Sequence, residues 1–252
     1  MRATGEVPLR QRAPGVGSAV LVGAAGLGGL GLGAAFALAA VVRRSRPLHP
    51  VGIVTTAHLD VSPAAAASGS PLLDEPGGYD CLVRASWAAG TGPRYPDIEG
   101  FALRVLGAGP DGAVTDVLFS STGVGPLARH VLTFRRPGRH GPQTTLLPVR
   151  AGGRPLLLRL DPLDDGSGSA RPTCYRLSWA HGRGAWHDAG ILTPAWGPAQ
   201  DAPDRFDPVA HPLVGTAQYP VVAALREPAY RFSRRAWPRA GRHTAVSRPG
   251  PR

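Results

Sequence analysis

The residue pair whose types and spacing best suit chemistry is Arg226 and Tyr230, four positions apart within Pro220–Trp237. That segment is the best helix candidate of the C-terminal region, and residues four apart on a helix share a face. A tyrosine has a pKa of about 10 in water, and a neighbouring guanidinium favours the deprotonated phenolate. A phenolate is a good ligand for ferric iron, so this pair could hold an iron. The alternative is that Tyr230 packs an amphipathic helix against the rest of the fold.

Motifs for other chemistry are missing from the sequence. There is no G-x-S-x-G motif and no C-x-x-C or Cys/His cluster, which argues against a hydrolase of that type and against a zinc site. Cys81 and Cys174 lie far apart, and we expect two buried free thiols rather than a disulfide. Four histidines stand singly in predicted loops and are expected at the surface: His130, His140, His181 and His187.

The chain is strongly basic, with a formal net charge of +11 over 252 residues, and all 28 basic residues are arginine. The arginines are scattered, with local runs at 43–46, 135–136 and 231–242. No nucleic-acid-binding motif accompanies them, so we expect no nucleic-acid partner. An anionic membrane surface is a second kind of partner that such a charge fits.

An apolar segment, 15–42, holds 28 uncharged residues with arginines on both sides, and a basic tail, 1–14, precedes it. As a helix rising about 1.5 Å per residue, it is long enough to cross a bilayer. We therefore expect an N-terminal apolar helix that anchors the protein to a membrane, and the balanced flanks favour neither orientation. The alternatives are a signal cleaved after Ala37-Leu38-Ala39 and a plain Gly/Ala leader, which would make the protein secreted or cytoplasmic.

The remaining chain, 46–240, alternates short apolar and polar stretches with Gly, Pro and Asp turns, which predicts β-strands. A polar loop is expected over Asp161–Pro172 and a disordered basic tail over 241–252. Strands followed by a helix indicate a mainly β fold with helical additions (α+β), a barrel or sandwich with a C-terminal helix. The predicted strands are Val51–Val61, Tyr79–Trp87, Gly100–Leu106, Val114–Ser120, Pro155–Leu160, Thr173–Trp179 and Ala185–Leu192.

Three segments resemble, in the same order, the haem catalases. Arg46–Gly52 is similar to the R-x-x-H-x-x-G stretch that precedes the first barrel strand of that family. Val83–Ser86, Asp97–Arg104 and Asp116–Thr122 are similar to its V-R-F-S, D-x-x-G-F-A-[VL]-[KR] and D-L-V-G-N-N-T motifs. Phe206-Asp207-Pro208, followed by Arg226 to Tyr230, is similar to F-N-P before R-x-x-x-Y.

The resemblance implies a catalase-like antiparallel β-barrel that binds haem. It makes Tyr230 the iron ligand with Arg226 beside it, and it places His49 and Ser86 as the catalytic residues on the opposite, distal side. There a neutral histidine moves the peroxide proton from one oxygen to the other, and a hydroxyl holds its ring. Arg46 and Arg84 would contact the haem propionates. The plain alternatives are a surface His49 and an Arg84 that faces outward from its strand.

The sequence departs from the family on the distal side. Ser120 stands where catalases carry the peroxide-binding asparagine, and the chain has no asparagine to replace it. Residues 123–128 replace aromatic residues that flank haem in the family, and Trp237 stands where a third propionate arginine is expected. We therefore expect a weak peroxidase acting on a peroxide rather than an efficient catalase.

Two other functions stay open from the sequence. One is a haem-free barrel of the same fold that binds a hydrophobic or lipid-like ligand at the membrane. The other is a phosphoester hydrolase that holds an anion in an arginine-rich pocket, although no clustered His/Asp metal set supports it. No feature of the sequence indicates an oligomeric state.

Overall fold

The computed structural model describes residues 52–88, 95–136, 138–164, 171–197, 206–220 and 222. The predictions for 1–14, 15–42 and 241–252 lie outside these residues, as does nearly all of the predicted C-terminal helix. Over the part of the chain that is described, helices are short, and none has the length and hydropathy that a bilayer crossing requires.

The described residues form ten β-strands and three short helical turns. The turns are the α-helical α1, Pro71–Asp74, and two 3₁₀ turns at Pro110–Gly112 and Ala128–His130. The strands are β1 Gly52–Val61, β2 Gly77–Trp87, β3 Glu99–Val105, β4 Thr115–Ser121, β5 Gln143–Thr144, β6 Val149–Ala151, β7 Arg154–Pro162, β8 Tyr175–His181, β9 His187–Pro194 and β10 Thr216–Gln218.

Eight of these strands close an antiparallel β-barrel. Neighbours follow the order β7, β5, β4, β3, β2, β1, β9 and β8, and β8 pairs again with β7 to complete the ring. β6 pairs with β7 and β10 with β6, extending the sheet beyond the barrel. The predicted mainly β fold is confirmed as a barrel, while the N-terminal and C-terminal helices stay predictions.

The strands predicted from alternation are present, with described ends within two residues of those expected. The polar loop expected from Asp161 was placed too early, because β7 still pairs Asp161 with Arg176 and Pro162 with Tyr175. The sequence did not predict β5, β6 or β10. These strands have two or three residues each, too few to show a period of two.

The two faces of the barrel wall carry different side chains. On β2, Val83 and Ala85 point into the hydrophobic core, and on β3 Phe101 and Leu103 do the same. Successive strand residues alternate between faces, so the residues between them lie on the outer face. Each large apolar side chain buried in the core contributes about 1.5–3 kcal/mol to stability.

The two cysteines are both free, as expected, but only one is fully buried. Cys81 lies in the barrel core with 2% of its surface exposed. Cys174 is half-buried, which corrects the expectation for that thiol. It directly precedes β8, which begins at Tyr175.

Cys81 is expected to be chemically silent in the folded protein. Burial, with a smaller effect from the charge of Asp80, raises the pKa of its thiol to about 12, so almost no thiolate forms near pH 8. We expect DTNB to modify one thiol per native chain, Cys174, and both thiols in guanidinium chloride. A Cys174→Ser variant is the control. Rapid modification of that variant before unfolding would contradict the burial of Cys81.

Candidate functional site

Two of the six predicted site residues, Arg84 and Ser86, lie in the described structure, on β2. They alternate with Val83 and Ala85, whose side chains fill the core, so Arg84 and Ser86 share the outer face of the barrel wall. Ser86 is 5% exposed, and its Oγ donates to the carbonyl of Gly100 at 3.5 Å. Arg84 is half-buried. Arg84 faces outward on its strand, and its contact with a haem propionate stays a prediction.

A row of small residues crosses four strands at Ser86. Ser86 is directly opposite Gly52 of β1 and Gly100 of β3, and Gly100 is opposite Ser120 of β4. Directly opposite residues share a face, so these four form one shallow strip on the outer wall. With strands about 4.8 Å apart, the strip is about 14 Å long between the Cα atoms of Gly52 and Ser120.

Arg84 lies over one end of this strip. A Cβ built on Gly52 would be 2.6 Å from Cζ of Arg84, so the guanidinium passes directly over the glycine. In the adjoining row, Arg84 is opposite Val54 and Ala102. The outer wall therefore carries a strip of small residues, mostly buried, with the guanidinium of Arg84 over its Gly52 end.

The other four predicted site residues, Arg46, His49, Arg226 and Tyr230, lie outside the described residues, and their roles stay predictions. His49 precedes Gly52 by three residues, at most about 11 Å of extended chain. Since Gly52 is paired with Ser86, that length of chain can reach the strip of small residues.

A buried carboxylate joins two of the segments that carry the catalase resemblance. Asp116 of β4 is 1% exposed and accepts two hydrogen bonds from Arg104 of β3, at 2.7 and 2.8 Å. Its Oδ2 also accepts the backbone N–H of Asp207 at 2.7 Å and contacts Nδ1 of His211 at 2.9 Å. The guanidinium carbon of Arg104 is 5.1 Å from the ring centroid of Phe206.

This network holds the Phe206-Asp207-Pro208 motif against the outer face of β3 and β4. It engages the positions that match the family motifs, Arg104, Asp116 and Asp207, through hydrogen bonds rather than at a ligand site. The held segment leads along the chain to Arg226 and Tyr230. The motif residues therefore fix the 206–211 segment, which continues along the chain to β10 at Thr216–Gln218.

A second buried polar cluster lies at one end of the barrel, and the sequence did not reveal it. Glu99 of β3 is 2% exposed, and its Oε1 is 2.5 Å from Nδ1 of His140. Nε of Arg135 is 3.9 Å from Glu99 Oε2, an oxygen that accepts no hydrogen bond within the described residues. Gln143, two strands from Glu99, is 1% exposed with its Oε1 also without a hydrogen bond.

His140 corrects the expectation of a surface histidine, because its side chain is only 5% exposed. The surrounding Gly and Pro residues did predict a loop, but that loop folds back on the barrel end. Backbone hydrogen bonds between Asp97 and Arg135 fix it there, at 2.8 and 2.9 Å. For the pair of Glu99 and His140, the sequence offered one signal, the carboxylate of Glu99 within the motif on β3.

Burial governs the ionisation of the other groups near this end. It raises the pKa of Tyr175, with the charge of Glu99 adding to the effect, so this phenol stays protonated. It lowers the pKa of Arg135 and of Arg171. Tyr175 is therefore unsuited to act as a phenolate ligand.

The described residues form no metal centre of their own. No three His, Cys, Asp or Glu side chains among them are close enough to hold a metal ion. A cavity of about 30 Å³ between β4, β7 and the 208–218 segment is lined by Asp116, Leu158 and Gln218, among others. That volume is room for about one water molecule.

Comparison with known proteins identifies the fold. The chain matches no protein-family model and no curated protein sequence. Catalase A from Saccharomyces cerevisiae superposes with a TM-score of 0.53 at 12% identity, over 78% of this chain and 62% of that one. A fungal catalase gives a TM-score of 0.51 at 12% identity, over 79% of this chain and 61% of that one.

These similarities define a catalase-like β-barrel. The chain spans about three fifths of the length of the two catalases. At 12% identity they bear on the fold alone, and the site must be argued from the residues of this chain.

Proposed function

We propose that this protein binds haem against the outer wall of its barrel and acts as a weak peroxidase. The observation that carries the proposal is the strip formed by Gly52, Ser86, Gly100 and Ser120, with Arg84 beside it. A planar macrocycle needs a flat wall without bulky side chains, and its propionates need a cation at the edge. These described residues fit both needs.

The remaining parts of the site come from the sequence. Tyr230 would hold the haem iron, and Arg226, one helical turn before it, would favour the phenolate. His49 would take and return the peroxide proton, with Ser86 orienting its ring, and Arg46 would join Arg84 at the propionates. The bound haem would supply the redox chemistry toward peroxide.

The distal side supports peroxidase over catalase activity. Ser120, aligned with the family's asparagine, lies in the strip with its short hydroxyl side chain. A serine at this place reaches less far and offers one donor, whereas an asparagine amide offers two. We therefore propose slow turnover of a peroxide with a reducing co-substrate. Attachment to a membrane through 15–42 is a further part of the proposal.

Haem binding is tested by expressing the full chain in cells supplied with a haem precursor. We expect a Soret band with a high-spin, tyrosinate-type spectrum, and Tyr230→Phe should abolish it. Tyr219→Phe, eleven residues earlier, is the matched control and should leave the spectrum unchanged. A colourless protein, or a Tyr230→Phe variant with an unaltered spectrum, would overturn the proposal. A colourless protein that is nevertheless folded would favour the haem-free barrel with a lipid-like ligand.

A further inference from the structure

The segment between β4 and β5 forms a compact loop, 124–136, outside the barrel wall. The backbone N–H of Gly123 donates to the carbonyl of Ala128 at 3.2 Å, and Val131 donates to the same carbonyl at 3.0 Å. The backbone N–H of Thr133 donates to the carbonyl of Ser121 at 2.8 Å. The loop therefore has a defined shape and returns to β4 at its end.

This loop exposes large apolar side chains. Of the seven exposed large hydrophobic residues in the described part of the chain, four lie within these thirteen positions. Phe134, at 68%, is the most exposed of the seven, and Leu127 is 63% exposed. Val124 and Val131 are 41% and 55% exposed. Several exposed apolar side chains on one loop mark a place where the protein can meet another apolar phase.

The loop is fixed to the barrel by a buried arginine. Arg129 is 2% exposed and donates to the carbonyls of Gly182 and Gly184 in the turn between β8 and β9, at 3.0 and 3.1 Å. Its guanidinium carbon is 4.3 Å from the ring centroid of Trp186, and the indole N–H donates to the carbonyl of Val124. The apolar side chains are thus held outward on an anchored loop.

The stretch of chain that contains the loop is rich in positive charge, and the carboxylate residues that lie against it are Asp97 and Glu99, both at Arg135. The sequence contains no Asp or Glu between Asp116 and Asp161, and it contains seven arginines over that stretch. Arg136 and Arg139 are exposed and lie two and five positions after Phe134 along the chain. Exposed apolar side chains and exposed arginines on one stretch of chain match an anionic lipid surface, which offers acyl chains to the former and phosphates to the latter.

We propose that the 124–136 loop docks the barrel on an anionic lipid bilayer. Leu127, Val131 and Phe134 enter the boundary between headgroups and acyl chains, while Arg136 and Arg139 bind lipid phosphates. This contact is made by the folded domain and is separate from any anchoring by 15–42. It does not depend on haem, so it can hold or fail whatever the outcome of the spectroscopic test.

Amide hydrogen exchange of the full chain on vesicles tests the proposal. We expect the 124–136 peptide to exchange about tenfold more slowly on phosphatidylcholine/phosphatidylglycerol vesicles than on phosphatidylcholine vesicles, because anionic lipid attracts the arginines. The variant Leu127→Glu/Phe134→Glu should lose this protection. Leu106→Glu/Leu163→Glu, at two exposed leucines elsewhere, should keep it. The readout follows the loop itself, so attachment through 15–42 does not obscure it.

A charge variant separates the two parts of the contact. Arg136→Gln/Arg139→Gln should reduce the difference between anionic and neutral vesicles without unfolding the loop, since both side chains are exposed. Equal exchange of 124–136 in the wild type on both kinds of vesicle would overturn the proposal. Protection that appears with a duplex oligonucleotide but not with anionic vesicles would also overturn it, in favour of nucleic acid.

Discussion

Replacement of Asp116 by alanine is expected to lower the free energy of unfolding by about 3–5 kcal/mol, because it leaves Arg104 without its buried partner. The carboxylate is 1% exposed and accepts from Arg104 twice and from the backbone N–H of Asp207. Its loss also removes the contacts with Asp207 and His211 that help to hold the 206–213 segment on the barrel wall. We expect the effect in urea unfolding of the full chain, followed by near-UV circular dichroism in one mild detergent.

Two further variants make this prediction specific. Asp80→Ala removes a carboxylate that is 89% exposed on β2 and should change stability by less than about 0.5 kcal/mol. Arg104→Met/Asp116→Leu removes both charges and should recover part of the loss, because no charge is then buried alone. An Asp116→Ala protein as stable as Asp80→Ala would show that the network does not hold the segment.

The strands were predictable from the sequence because most of them are long enough to show alternation. In β2 the buried Cys81, Val83 and Ala85 alternate with more exposed residues. This period of two is present in the amino-acid sequence itself. Closure of the ring was not visible. It depends on β5, whose two residues pair with β4 on one side and β7 on the other, and two residues carry no period.

The candidate site was also predictable only in part. The V-R-x-S spacing is enough to put Arg84 and Ser86 on one face of a strand. The spacing does not say whether that face is the inner or the outer one, because this depends on which neighbouring residues fill the core. The bond between Arg104 and Asp116 depends on the register of β3 against β4, which places them directly opposite. Sequence similarity marked these positions without revealing that they pair.

The Glu99–His140 pair shows a different reason for failure. Loops lie at the surface as a rule, so an isolated histidine among Gly and Pro residues was expected in water. The loop instead covers the barrel end, and its two bonds between Asp97 and Arg135 could not be read from local sequence. Contacts between residues some forty positions apart are set by the closed barrel, and the local amino-acid sequence does not predict them.

Replacement of His140 by alanine is expected to cost about 3–5 kcal/mol of unfolding free energy, because the Glu99 carboxylate stays buried after its closest partner is removed. His140 Nδ1 is 2.5 Å from Glu99 Oε1, whereas Nε of Arg135 is 3.9 Å from Glu99 Oε2. Both side chains of the pair are at most 5% exposed, so water does not replace the lost contact. Urea unfolding of the full chain measures the effect.

A surface histidine of the same chain supplies the matched control. His58 lies 3.3 Å from Asp60 and 3.5 Å from Asp80, with half of its side chain exposed, and His58→Ala should cost less than about 1 kcal/mol. In the His140→Ala background, Glu99→Gln should restore part of the stability, because a neutral amide is cheaper to bury than a carboxylate. If instead His140→Ala and His58→Ala cost the same, the pair contributes nothing beyond a surface contact, and the barrel end is held by the Asp97–Arg135 backbone bonds alone.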